Sequence, residues 1–271
     1  MNQANPQNFE PVQQSFGALL FDQIRISIIS TIVLALIVCG IYPAIVWGFA
    51  QVLFPNAANG SLVKKDGTPT NNDAEAVGST LLGQSFSDPK YFWPRPSAAG
   101  NGYDATSSGG SNYGPMSAKL LFGATQPATQ PNQPPTVAYD GIELRVLLYC
   151  QANNIDILNP SIPLKNFQDD KGNYDQVKLI TAFNDSDHPL TFQPAKPIPA
   201  DAVTASASGL DPHISLENAA IQAPRVAAAR KISIDQVKSL ITKNTDGPDL
   251  GIFGDPGVNV LKLNIALDNL K

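Results

Sequence analysis

No charged residue stands between Arg25 and Lys64. From Ile26 to Phe54 that gap is filled mostly by Ile, Val, Leu, Ala and Phe. A helix needs about 20 apolar residues to cross a hydrocarbon core of about 30 Å, so this stretch can span a membrane and still tilt or run on. It predicts a transmembrane helix over residues 24–54. Pro43 removes a backbone donor and predicts a kink one turn earlier. Tyr42 and Trp47 suit the boundary between lipid and water, where a ring has an apolar body and a polar edge. A cleaved signal peptide is the competing reading, with Ala57 and Ala58 as a small-residue cleavage site. Its apolar region runs to only about 7–15 residues behind a basic start, and this run is longer and follows no basic cluster. A buried core helix fits less well, because no charge interrupts the run.

Orientation is weakly encoded. Arg25 precedes the span, Lys64 and Lys65 follow it, and the basic residues alone do not decide between the two orientations. Large domains translocate largely regardless of charge, so the expected topology is single-pass in the plasma (inner) membrane with the amino terminus cytoplasmic. Residues 1–23, rich in Asn, Gln and Pro, read as a disordered cytoplasmic tail. Residues 60–271 read as an extracytoplasmic domain.

Composition narrows the function of that domain. Charged residues make up 15% of the chain and the net charge is −5. An acidic chain without a basic tract is a poor partner for nucleic acid, whose binding rests on phosphate neutralisation. Two cysteines, Cys39 and Cys150, and two histidines, His188 and His213, exclude a disulfide scaffold and a four-cysteine zinc site. No metal-ligating cluster is expected.

The domain reads as α+β. Residues 140–143 (Asp-Gly-Ile-Glu) look like a capping-box start, with Ile142, Val146, Tyr149 and Cys150 on one helix face. Residues 215–231 form an Ala-rich helix in which Pro224 implies a bend or a later start. Ser233-Ile-Asp-Gln236 is a clean capping box. Leu261, Leu263, Ile265 and Leu267 alternate with other residues, which predicts a half-buried strand. Two Pro-rich stretches, about 116–138 and 159–200, read as insertions; residues 124–138 look like an extended linker, and 177–183 like a strand within the second.

Three motifs invite chemistry. Residues 107–112, containing Gly109, Gly110, Ser111 and Asn112, form a Gly-Ser turn that can present N–H groups to an anion; no lysine follows at phosphate-loop spacing, and a tight surface turn is preferred. Asp211-Pro-His213 precedes the Ala-rich helix. A hydrolase would recruit His213 as base, but no Gly-x-Ser-x-Gly elbow accompanies it, and a His that orients the turn fits better. Gln222 and Arg225 are neighbours on one helix face, turned either to solvent or to a phosphate or partner subunit.

Blocks along the chain point to one family. They are Tyr42-Pro43; residues 59–62, 78–79 and 82–86; Tyr91-Phe92-Trp93-Pro94-Arg95-Pro96-Ser97-Ala98; Tyr103-Asp104; residues 108–112; residues 203–215, ending Asp211-Pro212-His213-Ile214-Ser215; Gln222, Pro224-Arg225-Val226 and Ala229-Arg230; and Val258-Asn259-Val260, Leu263-Asn264 and residues 266–268. In these the chain resembles KdpC, the C subunit of the Kdp high-affinity potassium-transporting P-type ATPase. The resemblance implies a non-catalytic accessory subunit with one transmembrane helix. Its partners would be the lipid bilayer, a channel-like potassium-binding subunit and an ATP-hydrolysing subunit. It would aid assembly and stability. ATP is implied as a ligand of the complex and K+ as the transported ion, and an influence on nucleotide binding assigned to the family falls on Gln222. No phosphorylation motif or phosphate loop accompanies these blocks, so no catalytic residue is expected. The alternatives are a membrane-tethered Ser/His hydrolase or a free-standing anchored binding module.

Overall fold

The computed structural model describes residues 15–128, 130 and 133–270. The chain divides into two compact units, Met1–Asn59 and Gly60–Lys271.

The first unit is helical. Ser15 caps α1 (Phe16–Ala35), its side chain accepting from Ala18 N–H. A π-helical segment, Leu36–Ile41, leads into α2 (Tyr42–Leu53), and a short α3 (Pro55–Ala58) follows. The helix thus begins at Phe16, ahead of residue 24 and inside the stretch expected as tail; residues 1–14 of that tail lie outside the described residues. From Phe16 to Leu53 the run is 38 residues, or roughly 55 Å at about 1.5 Å per residue, enough to cross a bilayer and extend beyond it. Pro43 does not break the helix. It sits in the first turn of α2, where a missing N–H costs least, and the wide turn just before it rejoins the ladder through Tyr42 N–H to Ile37 C=O. Every described side chain from Phe16 to Tyr42 is exposed, as an all-round apolar helix requires when its solvent is lipid.

In the second unit the helices are α4 (Ala118–Phe122), α5 (Ile142–Ala152), α6 (Gln176–Phe183), α7 (Ala200–Val203), α8 (Leu216–Arg230), α9 (Ile234–Lys243) and α10 (Val260–Asp268). The strands are short: β1 (Leu62–Lys64), β2 (Ala76–Ser79), β3 (Ala124–Gln126), β4 (Thr136–Tyr139), β5 (Ile157–Leu158), β6 (Gln193–Pro194), β7 (His213–Ile214), β8 (Thr245–Asp246) and β9 (Gly257–Asn259). β1–β2, β3–β4 and β5–β6 are antiparallel pairs, and β9 is flanked antiparallel by β7 and β8, with His213 opposite Asn259 and Thr245 opposite Val258. The unit is mixed helix and strand.

Its main core joins α8, α9 and α10 through Val226, Val237, Leu263 and Leu267, with Phe92 inserted among them. A second core, around Leu144, Leu147, Leu179, Ile180 and Phe183, lies within the region read as insertion. Burial of such side chains, about 1.5–3 kcal/mol each, is what orders a Pro-rich stretch.

Several local expectations are corrected. Residues 177–183 are helical: Asp175 accepts from Lys178 N–H at 3.1 Å, and Leu179, Ile180 and Phe183 share the face turned to the second core. Residues 260–267 are also helical, capped by Asn259, which accepts from Lys262 N–H at 3.1 Å. Burial around most of α10 erased its 3.6-residue signature and left a chance alternation. Residues 124–138 contain the β3–β4 hairpin instead of running as a plain linker. The capping box expected at 140–143 does not form; Gly141 is the cap residue, at φ 56°, and a Cβ there would lie 2.2 Å from Gly123 N. Asp140 instead binds Arg145 at both its oxygens, at 2.6 and 2.9 Å. Pro224 neither bends nor starts a helix, because α8 runs through it. The Ser233–Gln236 capping box forms with both of its hydrogen bonds.

Candidate functional site

The polar chemistry of the larger unit converges on the extended stretch Tyr91–Ser97. Pro94 and Pro96 keep this stretch out of a helix and deprive it of donors, so its remaining backbone groups need partners from elsewhere. Two side-chain amides supply them as a neighbouring strand would. Asn264 of α10 accepts from Phe92 N–H at 2.8 Å and donates to Phe92 C=O at 3.0 Å. Gln222 of α8 accepts from Trp93 N–H at 2.7 Å and donates to Trp93 C=O at 3.0 Å.

Gln222 is 1% exposed. Its nitrogen also donates to Asn218 Oδ1 at 2.8 Å, and its oxygen also accepts from Arg225 Nη2 at 2.7 Å. An amide offers two donors and two acceptor sites, and all four are used. Arg225 lies over the Trp93 ring at 4.1 Å and donates to Pro89 C=O, Tyr91 C=O and Asn153 Oδ1. Burial pulls its guanidinium down to about 10, which leaves it charged at neutral pH. The network continues through Tyr149, whose hydroxyl donates to Asn218 Oδ1 at 2.7 Å, and through Asp201, which accepts from Asn218, Ser215 N–H and Ser215 Oγ. Burial first, and then the Asp201 charge, raise the Tyr149 phenol and keep it neutral. Gln222 and Arg225 therefore face inward, not to solvent.

Past Trp93, Arg95 pairs with Asp211 at 2.9 Å, the Tyr103 hydroxyl donates to Arg95 C=O, and Ser97 Oγ donates to Gly209 C=O at 2.6 Å. The Gly-Ser turn packs on the same strip: Gly109 N–H donates to Ser208 C=O at 2.8 Å, and a Cβ on Gly110 would lie 2.9 Å from Ala207 O. Ser111 is half-buried beside it, and Asn112 is exposed at φ 56°. The turn thus spends an N–H on the protein itself.

His213 is held by carboxylates. Its ring Nε2 lies 2.9 Å from Asp246, its Nδ1 3.8 Å from Asp211, and its own N–H donates to Asp211 at 2.9 Å. Lys262 donates to both oxygens of Asp246. Burial pushes the Asp246 carboxyl up, but its bonds to His213 and Lys262 outweigh this and hold it below the ordinary range. The hydroxyls of Ser206 and Ser215 are engaged elsewhere, with Asp211 N–H and with Asp201, so a Ser–His pair is not assembled. Asn259 caps α10 and donates to Thr80 C=O at 2.8 Å.

The structure brings Arg95, Ser97, Gly109, Gly110, Asp211, Gln222 and Arg225 into one continuous clasp around residues 91–97. Pro96 lines a groove of about 510 Å³ beside it, with Trp93, Arg145 and Tyr149. Tyr42 and Pro43 belong to the helical unit and are not part of this assembly. Sequence reasoning passed over Asn218, Asn153, Tyr149 and Asp201 as network members; the available signal was a spacing of Asn218, Gln222 and Arg225 that stacks three polar side chains on one face of an Ala-rich helix. A nucleotide does not fit here, since Gln222 has no unspent polar atom and the Gly-Ser turn closes on residues 207–208.

The blocks that build this clasp are those a family model captures. The KdpC model, described as the K+-transporting ATPase c chain, matches residues 24–138 and 171–269. The chain belongs to the KdpC family. The Potassium-transporting ATPase KdpC subunit of Nitratidesulfovibrio vulgaris is 40% identical over 248 residues, covering 91% of this chain and 94% of that one. That of Dechloromonas aromatica is 41% identical over 244 residues, covering 89% and 95%. That of Mycobacterium tuberculosis is 40% identical over 230 residues, covering 85% and 89%. Residues 139–170, which the KdpC model leaves unmatched, contain α5 and β5.

Proposed function

We propose that this chain is the accessory, non-catalytic C subunit of an ATP-driven potassium uptake complex. It would be anchored in the plasma membrane by the Phe16–Leu53 helix, with the amino terminus cytoplasmic and residues 60–271 outside. The KdpC membership carries the reading. The geometry agrees with it, because the polar groups of the matched blocks are spent on holding residues 91–97 and leave no reacting constellation around His213. One helix cannot supply the rings of ligands that a selective filter needs, so K+ is cargo for a channel-like partner and ATP is consumed by another. The subunit's work is docking and stabilisation, and Gln222 serves that work by fixing Trp93. Its expected influence on nucleotide binding would then be relayed through the fold of the domain.

The test is deletion with complementation. A strain lacking the chain should lose growth and uptake at micromolar K+, regain both with the intact chain, and yield a co-purified complex of this chain with two larger membrane proteins. Unimpaired uptake without the chain removes the reading. For topology, a cysteine placed at Asp73 should react with a membrane-impermeant maleimide added to intact spheroplasts.

A further inference from the structure

The hairpin tip between β8 and β9 has an unusual build. Asp249 and Phe253 exchange both backbone hydrogen bonds, at 2.8 and 2.9 Å, and Ile252 N–H closes the turn on Asp249 C=O at 3.2 Å. Its two central residues, Leu250 and Gly251, have φ of 53° and 78°. A turn with positive φ at both centres ordinarily takes Asn, Asp or Gly there. Here a leucine occupies the first. The result is a rigid tip on which Leu250, Ile252 and Phe253 are 90%, 76% and 61% exposed. Single exposed apolar residues need no explanation, but three large ones gathered on a strained turn do.

We propose that this tip is a plug that docks into an apolar socket with a basic rim on one of the larger, membrane-embedded subunits. The choice of occupant follows from charge. Asp249 and Asp255 flank the tip, and no Lys or Arg lies between Lys243 and Lys262. An anionic lipid surface attracts loops that carry basic residues and repels this one. A second copy would bring the same acidic flank against itself. A partner that is apolar at the centre and positive at the edge satisfies both the side chains and the carboxylates. The inference rests on the proposed accessory role and names the surface that performs it.

The experiment places the photoreactive residue benzoylphenylalanine at Ile252, or at exposed Asp170 as control, in cells expressing the whole complex. Irradiated native membranes should give an adduct between this chain and one larger subunit from position 252 and not from 170. The triple variant L250S/I252S/F253S should leave the fold intact by circular dichroism while dissociation of the subunit from the complex quickens at least about tenfold, as removal of central apolar anchors does. An intact complex with no adduct at 252, or adducts only to lipid or to a second copy, overturns the plug and leaves the accessory role standing. Absence of any complex from wild-type membranes overturns both.

Discussion

Removing the Gln222 amide takes a partner from Trp93 N–H, Trp93 C=O, Asn218 and Arg225 at once. Buried groups left in that state cost about 1–3 kcal/mol each before relaxation. Gln222→Ala should therefore destabilise the domain by roughly 3 kcal/mol, since part of the loss is recovered by rearrangement. Denaturant titration of the full chain in mild detergent, followed by the fluorescence of Trp93, reads it directly; a change below about 1 kcal/mol would contradict the saturated geometry. Asp246 gives a pH prediction. Its carboxyl is held below the ordinary value, so its contribution is complete above about pH 4 and disappears as the pH falls through the lowered value, where both states bind the proton. Asp246→Asn should flatten the acid limb of the stability profile between about pH 5 and 2 relative to the wild type.

Helix boundaries show what the sequence discloses and where it stops. The Ser233–Gln236 box was legible because a cap is written in adjacent residues. The α10 register was not, because the cue for a helix is a polar face and this helix has almost none. α6 hid for a different reason: flanking prolines and an acidic pair made its surroundings resemble loop, while the deciding residue, Asp175, caps from just outside the apolar run. Asp175→Ala should cost about 1 kcal/mol and lower local amide protection over residues 176–183; an unprotected wild-type segment in hydrogen exchange would contradict the helix. The clasp was half legible. Gln222 and Arg225 stood out as polar neighbours, but their shared target lies more than a hundred residues away, at a separation of 129 for Trp93. No local pattern encodes that distance.

At the scale of the whole chain, Gly60–Lys271 closes its cores internally. A fragment of these residues should be soluble and give near-ultraviolet circular dichroism of fixed aromatics; a molten spectrum would mean that the helical unit is required for folding.

The same architecture sets an order of events in synthesis. A polypeptide emerges from its amino-terminal end, so Phe92 and Trp93 appear long before the side chains that grip them. Asn264 follows Phe92 by 172 positions. The satellite core around Leu144 and Phe183 can close meanwhile, leaving an aromatic ribbon bare until nearly the last residue has been made. A ribosome that stops before α10 releases a product that advertises its own incompleteness, and proteases that recognise uncovered tryptophan and phenylalanine gain a ready means of clearing it.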